Sequence, residues 1–243
     1  MNWDQVRQDT ERRLAAMTAT DAPFPHIYMR DVFPDALFRA LRANLPPDDA
    51  LEATDPARSN NPFAVNRRKF AIDPPHLARM EAGQRAFWST AWEWLAGPTF
   101  TRTVLGCFKA GIAARYGNRP LDLVSRIEIN VDRENYAIQP HTDSPKKVVS
   151  MLFYLPEDDR RADLGTSIYV PKDPMFRSEQ ALKYPFEWFD PVRTFPYAPN
   201  SGLAFLKTDN SFHGRPPVTG AAVHRPMLFV SIQHRGAGSD AAM

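Results

Sequence analysis

Three residues in the second half of the chain have the types and spacing of metal ligands. His141 and Asp143 stand one residue apart in Gln139-Pro140-His141-Thr142-Asp143-Ser144. In an extended segment residues i and i+2 face the same way, so an imidazole and a carboxylate would converge on one point. A second imidazole is offered by His213, in the turn after the apolar run Leu203-Ala204-Phe205-Leu206. Two imidazoles and one carboxylate on one face of an ion leave its other positions open, which is the ligand set non-haem Fe(II) sites use to admit O2 and a chelating cosubstrate. Downstream, Arg225 opens the apolar run Met227-Leu228-Phe229-Val230. A guanidinium there can grip a carboxylate in a bidentate pair.

The chain changes character near Pro120. Before it, apolar residues recur at helical spacing. Trp3, Val6, Thr10, Leu14 and Met17 mark a first helix, and Leu37, Phe38, Leu41 and Leu45 mark a second that opens at Phe33-Pro34-Asp35. Leu77 to Leu95 read as one long helix after Pro74, and Phe100 to Ile112 as another that ends near Gly117. His26 to Met29 read as a strand, and residues 48 to 66 as a long loop. After Pro120 short β-rich runs take over: Leu121 to Val131, Lys147 to Leu155, Thr166 to Val170, Gly202 to Leu206 and Met227 to Gln233. Helices followed by strands give an α+β arrangement, and strands of this number and length fit a double-stranded β-helix, or jelly roll, braced by N-terminal helices. The expected organisation is a single domain over residues 1 to 243. Residues 1 to 120 are its helical support and residues 121 to 235 its catalytic core, with an aromatic-rich, Pro-rich insertion at 171 to 200.

Composition narrows the partners. Thirty basic and 28 acidic residues in a chain of 243 leave a net charge of +2, too weak a field to point to nucleic acid or an anionic membrane. No stretch approaches the length needed to span a bilayer. A single cysteine, Cys107, cannot close an intrachain disulfide, so the fold does not call for an oxidising compartment and a cytoplasmic location is expected.

The His141-Thr142-Asp143 element, the distal His213 and Arg225 resemble the 2-oxoglutarate and Fe(II)-dependent dioxygenases, in particular their prolyl-hydroxylase-like branch, over roughly residues 121 to 235. The resemblance implies that His141, Asp143 and His213 hold Fe(II). It further implies that Arg225 and Tyr154 reach the distal carboxylate of 2-oxoglutarate, with Tyr154 in the strand Val149 to Pro156, and that Asn130 hydrogen-bonds the cosubstrate. The sequence departs from the pattern at Met227, where the family often carries Ser or Thr two residues after the arginine. It departs again at Asp163-Leu164-Gly165-Thr166-Ser167, in place of a Gly-Gly-Glu turn. Because a carboxylate and not Gly or Ala occupies position 143, the resemblance implies hydroxylation or a related oxidation of a small molecule, with O2 consumed and succinate and CO2 released, and not halogenation.

Other polar residues admit two readings each. Arg126, Glu128 and Asn130 share one face of their strand and would need a substrate or one another. Arg215, two residues past His213, is a candidate substrate or carboxylate contact that a Pro-rich turn could equally leave solvated. Arg67, Arg68, Lys69, Lys146 and Lys147 could frame an anionic substrate or form a solvated surface. His26 and His76 are expected to be structural, and alternation would turn His224 away from the face Arg225 uses. Two competing readings of the whole remain at this point: a jelly-roll binding module without redox chemistry, and a cupin-like metal enzyme that needs no 2-oxoglutarate. The sequence is silent on oligomeric state and on the substrate.

Overall fold

The computed structural model describes residues 1 to 217 and 223 to 235. The elements run α1 (Trp3–Ala15), β1 (His26–Arg30), α2 (Asp35–Ala43), β2 (Glu52–Ala53), α3 (Pro56–Ser59), β3 (Arg67–Ala71), α4 (Pro74–Leu77), α5 (Ala82–Leu95), α6 (Pro98–Cys107) and α7 (Lys109–Tyr116). Strands follow: β4 (Leu123–Asp132), β5 (Ile138–His141), β6 (Lys147–Tyr154), β7 (Thr166–Pro171), β8 (Phe189–Phe195), β9 (Ser201–Leu206), β10 (His213–Arg215) and β11 (Arg225–His234).

They form two antiparallel sheets. The larger has the order β1-β9-β6-β11-β4-β3-β2 and the smaller β5-β10-β7-β8. Strict alternation sorts the long strands into two faces. Ile127, Ile129, Val131, Val149, Met151, Phe153, Leu228, Val230 and Ile232 join one buried cluster with Trp88, Leu95, Phe100, Val104 and Phe108 of the helices. The helical half therefore covers the outer face of the large sheet. Trp88 is fully buried there and its indole N–H donates to the Asn44 carbonyl, which satisfies the one polar atom such a ring carries. On the opposite face Leu203 and Phe205 of β9 pack against Ile168 of β7, so the small sheet lies over the large one. The intervening residues of β4 and β11, from Glu128 to Asp132 and from Arg225 to Phe229, point into the space between the sheets.

Local chemistry sets the ends. Asn2 caps α1 by accepting from the Gln5 amide, and Arg12 and Arg13 sit in its last turn, where cations suit the helix dipole. The long helix expected over 74 to 95 is two. Asp73 caps a four-residue turn, Leu77 and Met80 both turn into the core, and a new helix starts after Glu81. The next is likewise split at Phe108, whose buried ring anchors the break. The sequence reading also differs from the structure at residues 52 to 53 and 67 to 71, which are strands at the edge of the large sheet, and at 189 to 195, where part of the supposed insertion is a strand of the small one. The expected core range of 121 to 235 includes residues 218 to 222, which lie outside those described.

Candidate metal centre and its cavity

β10 pairs with β5 so that His213 stands directly opposite His141, and Asp143 follows β5 by two residues. The imidazole centroids lie 4.3 Å apart, and one ligand atom from each of His141, Asp143 and His213 falls within 4.8 Å of the others. Gly214 makes this approach possible. A Cβ at that position would sit 2.6 Å from the Ile138 carbonyl of β5.

Each imidazole is oriented by its own chain. The Nδ1 of His141 lies 2.9 Å from the Gln139 carbonyl and that of His213 lies 3.0 Å from the Ser211 carbonyl. A carbonyl only accepts, so both Nδ1 atoms carry the proton and both Nε2 lone pairs are left for a ligand. Asp143 accepts from the Ser150 hydroxyl at 2.5 Å through Oδ2 and from the Lys147 ammonium at 2.9 Å through Oδ1. Burial, and then the neighbouring imidazole, holds His141 well below the ordinary histidine range; burial also lowers His213. Burial works to raise the Asp143 carboxyl, but Lys147, the two imidazoles and the Ser150 hydroxyl together hold it below the usual carboxylate range. The trio is thus two neutral imidazoles and an anion at neutral pH, the protonation state a divalent cation requires.

The cluster opens on a cavity of about 300 Å³ between the sheets, lined among others by Asn130, Tyr136, Arg215, Arg225 and Met227. Behind one wall Asp132 is fully buried. It accepts from Arg67 at 2.6 and 3.0 Å and from Arg225 at 2.8 Å. Arg225 also donates to the Leu164 carbonyl at 2.5 Å and to the Thr166 hydroxyl at 3.3 Å, with the rings of Tyr154 and Tyr197 at 5.3 and 5.1 Å. Arg215 is only 4% exposed, and among the described residues its side chain has one hydrogen bond, to the Leu164 carbonyl at 3.2 Å, while its Nε has no partner. Burial and the adjacent Arg225 pull its pKa down to about 9. The Tyr154 hydroxyl, beside Thr166 and fully buried, makes no hydrogen bond of good geometry.

Of the residues singled out in the sequence, Glu128, Asn130, Arg215 and Arg225 face this cavity, Tyr154 stands behind Arg225, and Arg126 is not among the lining residues. His224 is exposed and apart from the trio, His26 is held by the Phe24 carbonyl, and His76 by Asp73. Arg67, Lys69 and Lys147 of the basic runs line the cavity, whereas Arg68 and Lys146 are exposed. Asp132, Ser150 and Lys183 were missed. Asp132 continues the Arg126, Glu128, Asn130 alternation by one more step and was legible. Ser150 lies in a strand whose register no motif announces, and Lys183 lies in an irregular segment. The insertion's aromatic side chains do not line the cavity. Phe176, Tyr184, Phe186 and Phe189 gather instead around Tyr169 and Phe212.

No family model matches the sequence, and no curated protein matches it. Solved structures do. A prolyl hydroxylase from Trichoplax adhaerens, seen with a peptide of hypoxia inducible factor, superposes with a TM-score of 0.55 at 16% identity, covering 96% of this chain and 94% of that one. A prolyl-4-hydroxylase from Pseudomonas putida gives 0.54 at 16% identity, over 91% and 99% of the two chains. The chain has the prolyl-hydroxylase-like fold. That fold is also shared by SnoN, a non-haem α-ketoglutarate-dependent epimerase of nogalamycin biosynthesis, with a TM-score of 0.53 at 14% identity over 96% of this chain and 83% of that one. SnoN has been seen with Fe3+, α-ketoglutarate and a nogalamycin compound.

Proposed function

We propose that this protein is an Fe(II)- and 2-oxoglutarate-dependent oxygenase that hydroxylates or otherwise oxidises a small molecule, built on a double-stranded β-helix formed by its two facing sheets. The observation that carries the reading is the convergence of His141, Asp143 and His213 with both Nε2 atoms free and the carboxylate ionised. That donor set fits a divalent iron and leaves positions open. A binding module without chemistry would gain nothing from two neutral imidazoles held with their centroids 4.3 Å apart beside an anion.

Iron bound with 2-oxoglutarate would supply the oxidant, O2 being consumed as succinate and CO2 are released. The chain supplies everything else. Gln139 and Ser211 carbonyls fix the imidazole tautomers, and Ser150 holds one carboxylate oxygen of Asp143 so that the other faces the cation. Arg225, braced by Asp132, and Arg215, with its unpaired Nε, offer guanidinium donors to the distal carboxylate. The Tyr154 hydroxyl, behind Arg225, makes no hydrogen bond of good geometry, and Arg215 with Tyr154 takes the place of the hydroxyl missing at Met227. A buried, unpaired charge is costly, so a guanidinium in this condition is an argument for an anionic ligand.

The test is spectroscopic and chemical. Anaerobic protein with Fe(II) and 2-oxoglutarate should develop the cosubstrate's charge-transfer band, and admission of air should release succinate. Absence of the band at saturating concentrations of both contradicts the reading.

A further inference from the structure

The cavity holds more positive charge than iron and cosubstrate account for. Among the described residues, six that line it are cationic: Arg67, Lys69, Lys147, Lys183, Arg215 and Arg225. Two are acidic, Glu128 and Asp143, and Asp132 stands behind the wall as a third. The surplus is three positive charges. Divalent iron and the dianion of 2-oxoglutarate cancel, so loading the site leaves that surplus unchanged. Arg67 and Arg225 are neutralised in part by Asp132, and Arg215 stands beside them. The remaining cations are the three lysines.

Lys183 is the most telling of them. Its ammonium donates to the Ser59 carbonyl at 2.7 Å and to the Ala181 carbonyl at 3.1 Å, and no carboxylate lies within ion-pair distance among the described residues. It joins the last residue of α3 to the irregular stretch before β8, and Ser59, Ala181 and Lys183 all line the cavity. The ammonium of Lys69, on β3, has neither a hydrogen bond nor an ion pair among the described residues, although the residue lines the cavity. Lys147 has one anionic partner, Asp143, and that carboxylate is the one the cation would use. Of the three ammonium groups only Lys147 has a carboxylate within ion-pair distance among the described residues, and that is the metal-committed Asp143; Glu128, the other lining carboxylate, acts on Arg67, so the lysines are poorly compensated. An oxyanion on the molecule that enters the cavity would compensate them.

Resting on the oxygenase reading above, we infer that the substrate is anionic, carrying a carboxylate or a phosphate or sulfate group that seats against Lys183, with Lys69 and Lys147 beside it. Lys183 is then the anchor that sets the reacting part of the substrate relative to the metal, and it ties these two segments together when the substrate is in place.

The experiment uses minimal probes on the full-length protein, loaded anaerobically with Fe(II) and saturating 2-oxoglutarate and verified by the charge-transfer band. Calorimetric titration with sulfate, which stands for a phosphate or sulfate ester, and with acetate, which stands for a carboxylate, asks whether the loaded cavity takes a second anion and of which kind. We expect saturable binding of at least one. It should weaken about tenfold in Lys183→Met and be retained in Lys183→Arg, which keeps the charge. The surface variant Lys146→Met should titrate as the wild type. Binding of neither anion to the loaded wild type, or equal binding by Lys183→Met, overturns the inference while leaving the oxygenase reading intact. A wild type that never develops the band fails at the earlier reading instead.

Discussion

Ser150 is the residue that best separates orientation from coordination. Its hydroxyl reaches Oδ2 of Asp143, whereas Oδ1 is the oxygen 4.0 Å from the His213 Nε2, so Ser150→Ala should leave the fold intact and weaken metal binding by about 10- to 100-fold, the usual cost of losing a group that orients a ligand. A competition titration with a chelator measures it, and unchanged affinity would remove Ser150 from the account. Asp132 carries a different load, because Arg67 and Arg225 both end on it inside the protein. Asp132→Asn should cost about 3–5 kcal/mol of unfolding free energy by leaving two guanidiniums without their counter-ion. The sign of its pH dependence follows from its depressed folded-state pKa. Burial opposes the depression, but Arg67 first and Arg225 next outweigh it. The stabilisation is complete above the unfolded carboxyl's value of about 4 and is lost as pH falls below that towards the folded value. Urea midpoints of wild type and Asp132→Asn should therefore converge in acid and diverge towards neutrality. Arg215 should behave in the opposite sense. Arg215→Met removes a buried donor without a partner and should stabilise the ligand-free protein by about 1–3 kcal/mol while weakening 2-oxoglutarate binding, as paired thermal melts and cosubstrate titrations would record.

At the scale of elements, the site depends on two short strands meeting closely. Gly214→Ala would put a methyl group against the Ile138 carbonyl, force β10 away from β5 and carry His213 from His141. Metal affinity should fall by about tenfold or more, as for other losses of ligand alignment, with little change in the far-ultraviolet circular dichroism. Retained affinity would mean that the strands find another way to close. These strands also explain what the sequence did and did not disclose. Strands β4, β6, β9 and β11 span six residues or more, and their apolar runs could be read directly. β5 and β10 span four and three residues, too few for a period to register, although the motif they carry betrayed them. β2 and β3 sit in polar stretches at the sheet's edge, where burial writes no apolar pattern. The splits at Glu81 and Phe108 were invisible because the apolar spacing runs on through them, both sides of each break packing into the same core.

For the molecule as a whole, the division of labour is between a helical layer that stabilises and a cavity that does not. Trp88 is completely buried against the large sheet's outer face, far in the packing from the polar interior. Trp88→Ala should cost about 3–5 kcal/mol, measured by denaturant unfolding, without altering the affinity of whatever folded protein remains for metal. The candidate ligands were legible because their residue types are few and their order along the chain is distinctive. The charge arrangement around them was legible only in part: Arg67, Lys69 and Lys147 were candidates for framing an anion and line the cavity, whereas Lys183 and Asp132 join them only through tertiary structure. The central claim, that His141, Asp143 and His213 hold one iron, is tested most directly by anomalous diffraction at the iron edge from crystals grown anaerobically with Fe(II) and 2-oxoglutarate. The account requires a single strong peak bonded to both Nε2 atoms and to an Asp143 oxygen at about 2.0–2.2 Å, as for comparable divalent ions. A peak elsewhere, or none at full iron loading, contradicts it.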